Sequence, residues 1–281
     1  MLPSLLLTFR EGLEAALVVG IILSYLGQTG HADRRRWVWA AVGTASALSL
    51  ALAIALQAIG ARLEGQAEYV FEGAAMLLAV AVLTWMIFWM RQQAQHIKGD
   101  LEAGVRGALR RGHNWGLFSL AFLAVFREGI ETALFLTATS LVADRGATVT
   151  GALIGLSLAI VAGWAIYTST VRLNVGRFFD VTSVVLLVFA AGLFAHGLYE
   201  LQQAGWLPAL AEDVWNLKPV LSDRSTVGSL LRVLVGYNDN PTLLEIIGYI
   251  GYWVVVLASL TWWTNRRPVS GPVASGAQPS A

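Results

Sequence analysis

Two short segments place charge inside apolar surroundings, and they are nearly copies of each other. Phe9-Arg10-Glu11-Gly12-Leu13-Glu14-Ala15-Ala16-Leu17 recurs as Phe126-Arg127-Glu128-Gly129-Ile130-Glu131-Thr132-Ala133-Leu134. Glu11 and Glu14 are three residues apart, as are Glu128 and Glu131, so each pair shares one face of a helix. Arg10 and Arg127 each lie four residues before the second glutamate and can pair with it along the same helix. Carboxylate oxygens suit hard or borderline cations. Four carboxylates and two guanidiniums sum to a formal charge of minus two. An ionised side chain deep in a bilayer costs roughly 2.5–3.5 kcal/mol even on a lenient insertion scale. Six in matched sets are expected to form a metal site of Glu11, Glu14, Glu128 and Glu131, with Arg10 and Arg127 as charge partners.

The elements that must hold these groups are apolar blocks. The chain has 281 residues, 56% hydrophobic and 13% charged, with a mean hydropathy of +0.63. Soluble domains carry nearer a quarter charged residues. The absence of cysteine excludes thiolate metal sites and disulfides. No basic tract with interleaved aromatics points to nucleic acid. The pattern predicts an all-α integral membrane protein with seven transmembrane helices: Leu2–Leu26, Trp37–Ile59, Tyr69–Met90, Trp115–Leu141, Thr148–Thr170, Phe179–Gln203 and Leu243–Thr264. The first apolar stretch is expected to stay as a span and not to be a cleaved signal, because no basic segment precedes Arg10.

Orientation follows from the basic residues of the loops. Arg34, Arg35, Arg36, Arg91, Lys98, Arg106, Arg110, Arg111, Arg172, Arg177, Arg266 and Arg267 fall on one side. Arg62, Arg145, Lys218, Arg224 and Arg232 fall on the other. The N-terminus is therefore expected outside and the C-terminus in the cytoplasm. Trp37, Trp39, Trp85, Trp89, Trp115, Trp262 and Trp263 cluster at the predicted cytoplasmic ends as interface anchors.

With that orientation the first and fourth spans run in opposite directions. Residues 1–90 and 115–204 then form an inverted repeat within a single permease domain, 1–267. An outer loop, 205–242, and a seventh helix, 243–264, follow the repeat. Small residues at Gly43, Ala47, Ala51 and Ala55 recur 108 positions later as Gly151, Gly155, Ala159 and Gly163, a spacing that lets helices approach closely. The same offset carries Glu72 onto Asp180. Inverted repeats with a midplane site are a transporter pattern. Gly12 and Gly129 are expected to allow close backbone approach or local unwinding.

Further candidates are weaker. Glu72, Asp180, His196 and Glu200 are possible relay ligands, the last two lying four apart on one helix. Glu212, Asp213, Asp223 and Asp239 in the outer loop, and His96 and His113 in the basic loop, could attract or receive ions. Ser225–Val235 is apolar enough for a short surface helix, and residues 237–241 should turn the chain into the last span. Residues 268–281 are expected to be a disordered tail.

The doubled motif resembles the paired Arg-Glu-Gly-x-Glu motifs of the oxidase-dependent iron permeases, which include the fungal high-affinity iron permease and bacterial permeases of the Efe type. The resemblance runs from the first span to the seventh. Phe71-Glu72-Gly73, Trp85-Met86 with Trp89-Met90, and Gly236-Tyr237-Asn238-Asp239-Asn240-Pro241 agree with it, the last with the bacterial branch. Ile130 stands where the family usually has leucine. The resemblance implies import of iron across the cytoplasmic membrane, with Glu11, Glu14, Glu128 and Glu131 binding the ion in passage and no organic cofactor. It also implies an extracytoplasmic partner: a ferroxidase, a haem peroxidase or a cupredoxin-type subunit. A permease for another divalent ion, such as manganese or lead, fits the same residues. An intramembrane di-iron enzyme fits less well, because neither motif contains the Glu-x-x-His of carboxylate-bridged sites.

Overall fold

The computed structural model describes residues 1–93, 97–110, 114–168, 175–208, 211, 214–223 and 225–265. Among them the regular structure is helical: α1 (Leu2–Gln28), a 3-10 turn (Ala32–Arg34), α2 (Arg35–Gly60), α3 (Gln66–Gln93), α4 (Ile97–Arg110), α5 (Asn114–Val142), α6 (Arg145–Tyr167), α7 (Val175–Gln203), α8 (Thr226–Val235) and α9 (Leu243–Asn265). The chain is an all-α multi-pass membrane protein. Among the described residues, five stretches are long and apolar enough to cross a bilayer: Ala32–Gly60, Gln66–Met90, Arg145–Tyr167, Gly176–Gln203 and Leu243–Trp262. The motif-bearing helices α1 and α5 match them in length, at 27 and 29 residues, but are not among the five.

Large apolar side chains such as Leu50, Ile54, Leu153, Ile160 and Val255 are exposed. So much apolar surface would drive association in water; hydrocarbon is the solvent that accepts it. Trp39, Trp85, Trp115 and Trp262 are exposed too. Trp37 and Trp89 are half-buried.

Two apolar clusters form the interior. One gathers Leu7, Met76, Leu83, Met86, Phe135, Leu186 and Tyr252 from α1, α3, α5, α7 and α9. The other gathers Val19, Ile22, Leu26, Ala41, Ala45, Val105, Leu117 and Val125 from α1, α2, α4 and α5. The motif residues fall between them on both α1 and α5.

Helix pairing is set by small residues. Added side-chain carbons at Gly151 and Gly155 would strike Met1 and Ser4, and Leu5 and Thr8, respectively. One at Gly12 would sit 2.7 Å from Ala159 Cβ, and one at Gly163 2.5 Å from Ala16 Cβ. These contacts advance together along both chains, so α1 and α6 run parallel. Gly129 meets Ser49, and Gln57 donates from Nε2 to Ser140 Oγ at 2.7 Å, so α2 and α5 are also parallel. Gly73 lies against Gly197 and Leu201 where α3 crosses α7. Both motif helices are continuous through their glycines. Close approach, and not unwinding, is what Gly12 and Gly129 supply.

Two expectations change. The stripe Gly43, Ala47, Ala51 and Ala55 is exposed, and Gly43 has open space around it. The buried face of α2 is Val38, Ala41, Ala45 and Ser49 instead. Two residues correspond to 200° of helix rotation, so a face two positions away points the other way. Small residues fill both faces, and spacing alone does not tell them apart. The basic loop after α3 also contains a helix, α4, packed on α1 and α5. It places Val105 and Ala108 inward and leaves Arg106 and Arg110 exposed.

α8 occupies the stretch expected to be helical, capped by Ser225 Oγ accepting from Gly228 N at 3.0 Å. It is not confined to the surface. Gly236, at φ +72°, presses against Gly192 in α7, where neither position has room for a side chain. Arg111, Arg172, Arg224, Arg266, Arg267, His96, His113, Glu212, Asp213 and residues 268–281 lie outside the described residues.

Gly129→Leu is expected to destabilise the protein by about 1–3 kcal/mol, because it must displace Ser49. Gly43→Leu is expected to be neutral. Thermal unfolding in detergent compares them, and Ser49→Gly should partly restore Gly129→Leu.

Candidate metal site

Glu11 on α1 and Glu128 and Glu131 on α5 each offer a carboxylate oxygen within 4.8 Å of the others. The close approach of α1 and α5 brings the motifs face to face. Glu11 and Glu128 are buried and Glu131 is half-buried. On each of the three, Oε2 is buried with no hydrogen-bond partner. Carboxylates stripped of water normally find donors. Three carboxylates that come together, each with an oxygen left unpartnered, are an arrangement a cation would satisfy.

The two arginines take the remaining oxygens. Arg10 Nη1 donates to Glu11 Oε1 at 3.1 Å, and Arg10 Nη2 is 3.1 Å from Glu14 Oε1. Arg127 Nε donates to Glu131 Oε1 at 3.1 Å and lies 3.4 Å from Glu128 Oε1. Glu14 is buried but held by Arg10, and it is not in the three-carboxylate group. Four carboxylates were expected to converge; three do so, with the fourth one guanidinium away.

The surroundings of the arginines carried no charge signal in the sequence. Arg10 Nη1 lies 3.1 Å from Met86 Sδ, and its guanidinium carbon lies 5.7 Å from the Phe179 ring centre. Phe9, Phe178 and Phe179 stack edge to face beside it, with centroids 5.0 and 5.5 Å apart. Arg127 lies over the Trp89 ring at 4.4 Å.

The relay candidates separate. Glu72 lies at the α3–α7 crossing, next to Gly73, and lines a cavity of about 200 Å³ with Gln57, Glu68, Thr137 and Arg145. Asp180 is exposed near the other end of α7, twenty residues from Glu200, or about 30 Å of helix. Glu200 is within electrostatic reach of Glu72, Glu68, Glu245 and Arg232. Glu72 therefore lies near Glu200 and far from Asp180, because α3 and α7 cross antiparallel. His196 and Glu200 line a polar cavity of about 530 Å³ with Asp223, Arg232, Asn238 and Asp239. Arg232 Nη2 lies 3.2 Å from His196 Nε2. Arginine has only donors, so this ring nitrogen accepts and its lone pair is taken. Arg232 Nη1 also donates to Asp223 Oδ2 at 3.2 Å.

Asp239 is buried, not solvated as most loop acids are, and its Oδ2 accepts from Asp223 N at 3.0 Å. Glu245, which sequence reasoning passed over, is buried as well. Its Oε2 accepts from Thr242 N at 2.8 Å, while Thr242 Oγ1 accepts from Glu245 N at 3.3 Å. Thr-x-x-Glu ahead of an apolar run is the signature of this reciprocal cap.

Arg10→Gln is expected to cost about 3–5 kcal/mol of stability, since it leaves Glu11 and Glu14 buried without their partner. A fall in the detergent unfolding midpoint, larger than for Arg127→Gln, checks this.

The sequence model of the Iron permease FTR1 family matches residues 1–263. Among curated relatives, the ferrous iron permease EfeU of Escherichia coli O6:K15:H31 is 38% identical over 260 residues, covering 90% of this chain and 93% of its own. EfeU of Yersinia pestis is 37% identical over 276 residues, covering 97% of each. No solved structure matches the chain. Buried paired carboxylates on facing helices, a multi-pass helical fold and a family match over nearly the full length agree: the chain belongs to the iron permease FTR1 family.

Proposed function

We propose that the chain imports iron across the cytoplasmic membrane through a site built from Glu11, Glu14, Glu128 and Glu131. The carrying observation is the convergence of Glu11, Glu128 and Glu131 oxygens within 4.8 Å, contributed by two helices, with Glu11 and Glu128 buried and Glu131 half-buried. Oxygen-only donors suit a hard or borderline cation. Ferrous iron is the cargo named for the EfeU relatives, and it fits this donor set.

Seven helices span the membrane in this reading: α1, α2, α3, α5, α6, α7 and α9, with the N-terminus outside. Helices α1–α3 and α5–α7 form the inverted repeat. Its support is the exchange in pairing: α1 lies parallel to α6 and α2 parallel to α5, while α3 and α7 cross each other antiparallel. The ion enters past Glu72 and Glu200 at the outer face and reaches the carboxylates between α1 and α5. Asp180 lies on the cytoplasmic side of the route. An extracytoplasmic ferroxidase, haem peroxidase or cupredoxin-type subunit supplies the ion.

Glu128→Gln and Glu131→Gln are expected to lower iron uptake by at least roughly a hundredfold, since loss of even an outer-shell partner of a metal ligand costs about 10–100-fold, while the protein stays folded. Uptake of radioactive iron into proteoliposomes measures this, with manganese and lead as competitors. Wild-type rates in the folded variants would overturn the proposal. Stronger competition by manganese or lead than by unlabelled iron would reassign the cargo.

A further inference from the structure

The two motifs are alike in sequence and unlike in surroundings. Arg10 has no exposed surface, enclosed by Met86 and Phe179. Arg127 has a side chain 41% exposed. Their carboxylate partners also differ in position. Arg10 holds Glu14, outside the three-carboxylate group, and Glu11 within it. Both carboxylates held by Arg127, Glu128 and Glu131, belong to the group.

A guanidinium stays charged at any physiological pH. Arg127 therefore competes with a metal cation for Glu128 and Glu131 whenever it lies against them. Like charges repel, and the repulsion is strong where little water screens it. Arg10 has no open side toward which to move. Arg127 has one, and its guanidinium already lies over the Trp89 ring at 4.4 Å. An aromatic face attracts a cation without offering a competing anion.

We infer that Arg127 is a tethered competing cation: it neutralises Glu128 and Glu131 between cargoes, shifts toward Trp89 as a metal ion binds, and by returning helps expel it. Arg10 stays fixed and holds the α1 carboxylates in place. Conduction requires a site that binds well enough to fill and weakly enough to empty. An internal cation at the open flank supplies the second half of that requirement. The inference rests on the reading of the glutamates as the metal site.

The test is anaerobic equilibrium binding of ferrous iron to the purified full chain in nanodiscs, beside uptake in proteoliposomes. Arg127→Gln is expected to bind iron at least about tenfold more tightly, with a lower KM and a lower maximal rate. Arg127→Lys, which keeps the charge, should return affinity toward wild type. Affinity in folded Arg127→Gln equal to or weaker than wild type would overturn the inference while leaving the metal site standing. No iron binding by the wild-type chain would overturn the metal-site reading and this inference together.

Discussion

Four carboxylates and two guanidiniums confined between two apolar clusters are the constraint around which the protein is organised. Groups of this kind are stable in a low-dielectric interior only when paired and held in good geometry. Arg10 and Arg127 provide the pairing, each bound to both carboxylates of its own motif. The helices provide the geometry. Each motif helix lies parallel to a partner from the other half of the chain, α1 to α6 and α5 to α2, through contacts too close for a side chain at Gly12 or Gly129. The glycine between the two glutamates is thus part of the site. It fixes how far the helix stands from its neighbour and so where the carboxylates point.

Pairing leaves something over. Glu11, Glu128 and Glu131 each retain a buried oxygen that no protein donor reaches. A purely structural ion-pair network would be expected to close on itself. This one stays open on three carboxylates that α1 and α5 bring together.

The parts legible in the sequence were those written in charge and periodicity. The doubled motif stands out because ionised residues are rare in apolar runs. What stayed hidden depended on the face each helix turns inward. Gly43, Ala47, Ala51 and Ala55 have the spacing of a packing stripe, yet α2 buries Ala41, Ala45 and Ser49, because small residues line both of its faces. The nearness of Glu72 to Glu200 comes from the antiparallel crossing of α3 and α7, a tertiary contact that neither residue's local sequence spells out. The unequal burial of Arg10 and Arg127 has no counterpart in two near-identical motifs. It arises from Met86 and Phe179 on one side and Trp89 on the other, residues brought in from distant parts of the chain.

The most direct measurement is anomalous X-ray scattering at the iron edge from crystals of the full chain grown with ferrous iron under anaerobic conditions. The account predicts one dominant peak between α1 and α5, with carboxylate oxygens of Glu11, Glu128 and Glu131 bonded to it. A dominant iron peak elsewhere, with those three carboxylates remote from it, would contradict the account.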